Sequence, residues 1–477
     1  MAEMPQYHYI EGVENLDGYK PGGYHPVGPG EILKERYCIV DKLGSGGYAT
    51  VWLARDTNEG RYVALKIALA DCGVSGRESK ILQALSSTAG TAVPAIIDEF
   101  EVQGPNGTHF VYAMPPAQCD LESGMGMGMF QLKIARAICG RLIAAVDMSH
   151  SQGYVHGGLS KDLRPSNVLL MPFPGFDELS IDQFHEKYGM PETIPIERFD
   201  GKPLSPHVPK EAVEALDMSM PANEFELCDT AILLSDFGES FSPSAGESRL
   251  GQDSHTPGNV RPPECSLDPT SPMSTAADIW QLGLALWKVV ALRPLTSTGF
   301  GSPAEIIKEL IDMLGPLPPA WRDSWEDMLS KYFEKTGRRL DGARMYWSSL
   351  EDAYEGCVEK HRARLQVGTL DDAERKAFLD LMRRMLAYLP EERPSAQEVL
   401  QSDWVVKWVK PDMEQSIQET WRLVVASAKE CPDVTVATAT ELCDSDDSGI
   451  CLSLDPPMTE TSDLHNGSGA SDSGVSV

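Results

Sequence analysis

The side chains with the clearest chemical potential lie in His156-Gly157-Gly158-Leu159-Ser160-Lys161-Asp162-Leu163-Arg164-Pro165-Ser166-Asn167 and, further on, in Ser235-Asp236-Phe237-Gly238. An aspartate followed five residues later by an asparagine, and then by an Asp-Phe-Gly turn, can bring three oxygen-bearing side chains to hard Mg2+ ions and a phosphoryl acceptor. A second group comes earlier, in Leu43-Gly44-Ser45-Gly46-Gly47-Tyr48-Ala49-Thr50-Val51. Its glycines let the backbone approach phosphates closely and turn N–H groups toward them. In Val63-Ala64-Leu65-Lys66, the lysine can reach the α and β phosphates of a nucleotide, and Glu78 can hold that lysine in place.

Elements must carry these groups. Three β-rich runs, 37–43, 50–54 and 61–68, are separated by Gly, Asp and Asn and read as an antiparallel meander. Residues 77–85 read as a helix with Glu78 and Leu82 on one face. Strands at 93–100 and 109–114 follow around Gly104-Pro105-Asn106-Gly107, and after Met114 the pair Pro115-Pro116 removes two backbone donors, leaving the N–H of Ala117. Ile134, Ile138, Leu142, Ala145 and Val146 recur at helical spacing within 130–150. Residues 276–290 are apolar on nearly every face, as a helix at the centre of a domain must be. Amphipathic helices are expected at 304–314, 320–332 and 372–388, and Ser395-Ala396-Gln397-Glu398 is a capping box. Residues 1–30, rich in Gly, Pro and Tyr, read as an extended lead-in, with order beginning near Ile32. The stretch between Asn167 and Asp236 exceeds a hairpin by roughly fifty residues; it is Pro-rich, has one short amphipathic run near 179–188, and is expected to drape over the surface. From residue 433 the chain turns to Ser, Thr, Asp and Gly, the composition of a disordered tail.

The 477 residues are 42% hydrophobic, enough for sizeable cores. A formal charge of −30 counts against non-specific attraction to nucleic acid or anionic lipid and suits basic protein partners; residues 411–477 hold 13 acidic side chains against 2 basic ones. Ten cysteines without a Cys-x-x-Cys pair or regular spacing read as free thiols in a reducing compartment. The first ten residues lack a signal peptide's pattern, and no run approaches the roughly 18 apolar residues of a membrane span. A cytoplasmic protein without a membrane segment is expected, with a nuclear one as the open alternative, although no strong basic cluster marks it.

Taken in order, Gly44/Gly46, Lys66, Glu78, Asp162/Asn167, Asp236-Phe237-Gly238, Pro263-Glu264, Asp278/Gly283 and Arg393 resemble the eukaryotic protein kinase domain over roughly residues 27–410. More narrowly, Tyr19-Lys20-Pro21-Gly22-Gly23-Tyr24-His25-Pro26-Val27, Thr50-Val51-Trp52-Leu53-Ala54, the long insert and Leu314-Gly315-Pro316-Leu317-Pro318 resemble the SR-protein kinase (SRPK) family, with this chain as a divergent member. The resemblance implies an α+β, bilobal protein-kinase-like fold with a small β-rich N-lobe and a large helical C-lobe. Its parts would be a lead-in at 1–26, the N-lobe at 27–118, the C-lobe at 119–410 with an insert at 170–230, a helix at 411–430 and an acidic tail at 431–477. It implies a serine/threonine protein kinase using ATP and Mg2+. Asp162 would accept or orient the proton of the substrate hydroxyl, Arg164 would stand near the γ-phosphate, and Asn167 and Asp236 would hold the metal. Leu43, Gly44, Gly46, Gly47, Val51, Ala64, Lys66, Glu78, Met114 and Ala117 would form the ATP site.

The same resemblance implies that Arg393 pairs with Glu264. The implied substrate is a protein, in the SRPK family an Arg/Ser-rich one met by an acidic groove, for which Glu305, Glu309 and Asp312 are candidates. A monomer with no direct nucleic-acid partner is expected. One departure stands out: kinases place a histidine two residues before the aspartate, packed beneath the Asp-Phe-Gly phenylalanine, and here His156 stands six before Asp162. Either His156 keeps that role and residues 158–161 bulge outward, or Ser160 takes the position. Two other functions therefore stay open, a catalytically impaired pseudokinase or scaffold, and a small-molecule phosphotransferase; Pro263-Glu264, Asp278-Ile279-Trp280 and Arg393 count against the latter.

Overall fold

Between Ile32 and Met114, β-branched and aromatic runs broken by tight turns form one antiparallel sheet of six strands. These are β1 (Ile32–Leu33), β2 (Tyr37–Gly46), β3 (Ala49–Asp56), β4 (Arg61–Ala68), β5 (Asp98–Gly104) and β6 (Gly107–Met114), in the order β1-β2-β3-β4-β6-β5. The computed structural model describes residues 5–430 except 72–75, 87–91, 127, 159–166, 297–302, 335–339 and 341–346. The period of two along β4 sends Ala64 and Lys66 toward the helix Arg77–Ser86, while Val63, Leu65 and Ile67 pack with Trp52 and Val111 on the opposite face. Val63, Ala64 and Leu65 are all buried, because both faces of the strand are covered, and so the sequence runs apolar without alternation.

What covers the outer face was not legible in the sequence. Val27, from the lead-in, and Val213, from the insert, belong to the cluster around Trp52. Tyr7, Leu16, Tyr19 and Tyr24 bury against Ile196, Val208 and Ala212. Residues 5–30 are therefore folded, and order does not wait for Ile32. The segment lacks periodicity because it pairs with a distant stretch instead of forming an element of its own. It meets the insert through backbone bonds from His8 N–H to the Glu197 carbonyl and from Phe199 N–H to the Gln6 carbonyl.

The insert leaves the C-lobe after strand β8 (Val168–Leu170), climbs the sheet and returns through β11 (Ile232–Leu234); these two pair, with β7 (Cys119–Asp120) beside β8. Its short helix Ile181–Tyr188 carries a Ser180/Gln183 capping box and sinks Phe184, alongside Phe176 from the turn before it, among Val40, Leu53 and Tyr62. Within it, β9 (Thr193–Pro195) and β10 (Glu211–Val213) form a small ladder. The expectation of a draped segment fits this arrangement.

The C-lobe is helical. Leu132–Ser151 packs with Thr275–Val290, whose Trp280 and Trp287 are almost wholly buried. Pro303–Leu314, Asp372–Met385 and Lys410–Glu430 surround them. The helix expected at 320–332 is instead two short pieces, Pro319–Ser324 and Glu326–Leu329. No helix among the described residues is long and apolar enough to cross a membrane.

Candidate active site

The site is built from the turns that join these elements. Lys66 sits on β4 opposite Val51 of β3 and Tyr112 of β6. Glu78 lies in the first turn of Arg77–Ser86, so its carboxylate meets Lys66 Nζ at 2.7 and 2.9 Å. Burial works against the Lys66 charge, but Tyr112, Glu78 and Asp236 outweigh it and hold the ammonium well above the ordinary lysine range. The lysine is charged at any physiological pH.

Asn167 and Asp236 come together because β8 and β11 are paired. Ser235, next to Asp236, donates its N–H (2.8 Å) and hydroxyl (3.1 Å) to the Asn167 carbonyl. Asp236 takes a left-handed backbone, φ 61° and ψ 61°, which for a non-glycine residue costs on the order of 1 kcal/mol and is characteristic of functional turns. Asn167 commits its amide nitrogen to the Gly158 carbonyl at 2.6 Å.

His156 keeps the position the sequence left undecided. Its ring lies 4.6 Å from the Phe237 ring, and its Nε2 meets the Ser235 carbonyl at 3.0 Å. Burial lowers its pKa, so the imidazole is neutral and donates from Nε2. Buried Asp278, near the start of Thr275–Val290, accepts from His156 N–H (2.7 Å), Gly157 N–H (2.9 Å) and His150 Nε2 (2.9 Å). Gly157 has φ +72°, and a Cβ there would come 3.1 Å from the Glu239 carbonyl oxygen, so glycine is required. With His156 so placed, the residue two positions on is Gly158. Asp162 and Arg164, with the rest of 159–166, lie outside the described residues, as does Ser160.

All twelve described candidates line one cavity of about 650 Å3: Leu43, Gly44, Gly46, Gly47, Val51, Ala64, Lys66, Glu78, Met114, Ala117, Asn167 and Asp236. Beside Ala117, the Gln118 N–H is already given to the Leu170 carbonyl at 2.8 Å. Sequence reasoning missed residues 215–218 of the insert, which line the same cavity, and Leu216 N–H bonds the Lys42 carbonyl at 2.7 Å just before the glycine-rich turn. No motif marks them; they reach the cleft only because the insert folds back over the sheet. Tyr112, also in the lining, was legible as a strand residue and not as a neighbour of Lys66.

Away from the cleft, Arg393 and Glu264 form a buried bidentate pair at 2.6 and 2.8 Å, and Arg393 also donates to the carbonyls of Ala276, Ala387 and Tyr388. Of the three acidic candidates on Pro303–Leu314, Glu309 is turned into the protein, whereas Glu305 and Asp312 stay partly exposed. Glu309 is 4% exposed, and Glu305 meets Lys308 at 2.5 Å.

Comparison with known proteins agrees with the geometry. The family model "Protein kinase domain" matches residues 37–176, ending where the insert leaves the C-lobe. A serine/threonine protein kinase of Aspergillus fumigatus is 26% identical over 415 residues, covering 82% of this chain and 90% of the relative. The serine/threonine-protein kinase SRPK of Physarum polycephalum is 33% identical over 167 residues, 33% of this chain and 38% of that one. The crystal structure of a kinase domain shares the fold, with a TM-score of 0.51 and 17% identity over 80% of this chain and 98% of that one. With Lys66–Glu78, Asn167 beside Asp236, and Glu264–Arg393 all in place, the chain carries a protein kinase domain and is similar to serine/threonine protein kinases, an SRPK among them.

Proposed function

We propose that this kinase transfers the γ-phosphoryl group of ATP to serine or threonine hydroxyls of basic, Arg/Ser-rich proteins, with Mg2+ held by Asn167 and Asp236. The observation that carries the reading is the Lys66–Glu78 pair facing Asp236 across a cavity roofed by the glycine-rich turn. The donor set fits the ion: one amide oxygen and one carboxylate are oxygen ligands that leave the remaining positions to phosphates and water. Bound there, the cation would neutralise charge on the phosphates.

The chain's own residues do the positioning. Lys66, fixed by Glu78, supplies a permanent positive charge for the α and β phosphates. The backbone of residues 44–47 offers N–H groups to the same phosphates, and a Cβ added at Gly44, Gly46 or Gly47 would meet nothing within 4 Å. Leu43, Val51, Ala64 and Met114 give apolar walls for the base, with Ala117 at its polar edge. Asp162 takes the proton of the acceptor hydroxyl, and Arg164 steadies the phosphoryl group in flight. Support for an Arg/Ser-rich acceptor comes from the charge of −30 and the SRPK relative.

A second reading has one observation in its favour. Gly158 stands two residues after a well-packed His156, where kinases carry the aspartate, so catalysis depends on Asp162, six residues after His156, reaching the cleft. Labelled phosphate transfer to a peptide of alternating Arg and Ser decides between the two. We expect transfer by the intact chain and a loss of about a thousandfold in Asp162→Asn. Replacing the peptide's arginines by alanine is expected to weaken it. ATP binding without transfer in the intact chain, and a gain on deleting residues 158–161, would establish the impaired scaffold instead.

A further inference from the structure

The glycine-rich turn is held from above by a residue that none of its own motifs contains. Tyr24 is 7% exposed, and its hydroxyl donates to the Gly46 carbonyl at 2.8 Å. The segment around it is built to seat that ring. A Cβ on Gly18 would fall 2.5 Å from Tyr24 Cε2, and one on Gly23 would fall 1.9 Å from the Gly18 carbonyl oxygen, so neither position admits a side chain. The backbone is pinned to the end of β4, with Ala70 N–H to the Gly23 carbonyl (3.1 Å) and Asp71 N–H to the Gly22 carbonyl (3.0 Å). Asn106 Nδ2 holds the Tyr24 carbonyl at 2.7 Å.

The root of the turn is gripped from the same side. Lys42 is buried, pairs with Glu14 and donates to the Val213 carbonyl at 3.0 Å. Tyr19 donates to Glu14 at 2.5 Å, and its ring lies 5.4 Å from that of Tyr24. Burial, and next to it Glu14, raise the pKa of Tyr24, so its hydroxyl remains a donor. Lead-in, insert and turn are thus joined in one connected set of buried contacts.

We propose that Tyr24 is a positioning residue for nucleotide binding: its bond to Gly46 holds the turn in the conformation that receives phosphates. A turn ordered beforehand loses less freedom when the nucleotide enters, so the effect falls on affinity and not on the chemical step. The inference rests on the reading of residues 44–47 as a phosphate loop.

The test uses the full chain with Tyr24→Phe, which removes one oxygen and keeps the ring. The KM for ATP and the Kd for a fluorescent ADP analogue are expected to rise about fivefold, the worth of one hydrogen bond, with kcat and the KM for peptide unchanged. Amide exchange at residues 44–48 is expected to quicken. Tyr62→Phe serves as the control, since the buried Tyr62 hydroxyl has no partner among the described residues; it should change neither quantity. Unchanged nucleotide affinity and exchange in Tyr24→Phe, or a lowered Tm with an unchanged KM for ATP, would overturn the proposal. If exchange quickens but the unmodified chain binds no nucleotide, the anchor stands and the phosphate-loop reading falls.

Discussion

Lys66 shows how much a single side chain rests on its neighbours. Its charge is kept by Glu78 and Asp236 against the pull of burial, and removing it leaves both carboxylates facing each other across the cleft. Lys66→Met is expected to lower kcat/KM by a hundredfold to a thousandfold while the chain stays folded, read by phosphate transfer alongside circular dichroism. His156 is a different case. His156→Ala removes the ring beneath Phe237 and the bond to Ser235, so we expect both a Tm several degrees lower, corresponding to about 2 kcal/mol, and a kcat at least tenfold lower. An unchanged kcat would show that the two loops do not depend on this contact. Lys66, Asn167 and Asp236 were legible in the sequence because each sits in a short motif, and Glu78 because it follows Lys66 at the start of a helix. The role of His156 was not, because two residues could have packed beneath Phe237 and only tertiary packing chooses between them.

Among elements, the first strands of the sheet, the helix after them and the long C-lobe helices were read well, and the lead-in poorly. Thr275–Val290 announces itself by being apolar all round, while the pairing of Arg393 with Glu264 was implied by the kinase resemblance. Arg393→Ala would leave Glu264 buried without its partner and is expected to cost about 3 to 5 kcal/mol, measured by urea unfolding. The lead-in was misread because its partner, the insert, lies almost two hundred residues away and neither has a period to find. Its junction with the sheet carries a pH dependence. The His25 ring lies 4.7 Å from that of His109, tilted by 55°, and burial, with His109 adding to it, lowers the His25 pKa from 6.5 to about 4. The folded state thus favours the neutral ring; the stability it gives is present above pH 6.5 and is lost as pH falls below that value. A loss of about 2 kcal/mol is expected by pH 5, and His25→Gln should flatten that slope in unfolding titrations.

At the scale of the whole molecule, the insert is a structural part of both lobes. It begins at β8 and ends at β11, beside the catalytic turns, while its middle fills the outer face of the sheet. Phe184→Ala is expected to lower stability by about 3 to 5 kcal/mol through the cavity it opens among Tyr62, Phe176 and Leu53. Sequence length revealed that something had been inserted; it could not reveal that the Asp177 carboxylate accepts the Tyr62 N–H at 2.7 Å and its backbone carbonyl accepts from the Arg55 guanidinium at 2.9 Å. A segment so poor in helix and strand would ordinarily be the first target of a digesting enzyme. Because its backbone is stitched to the lead-in and the sheet, trypsin should leave Lys187 and Arg198 uncut under native conditions, and a nick there should appear only once the amino-terminal lobe has come apart.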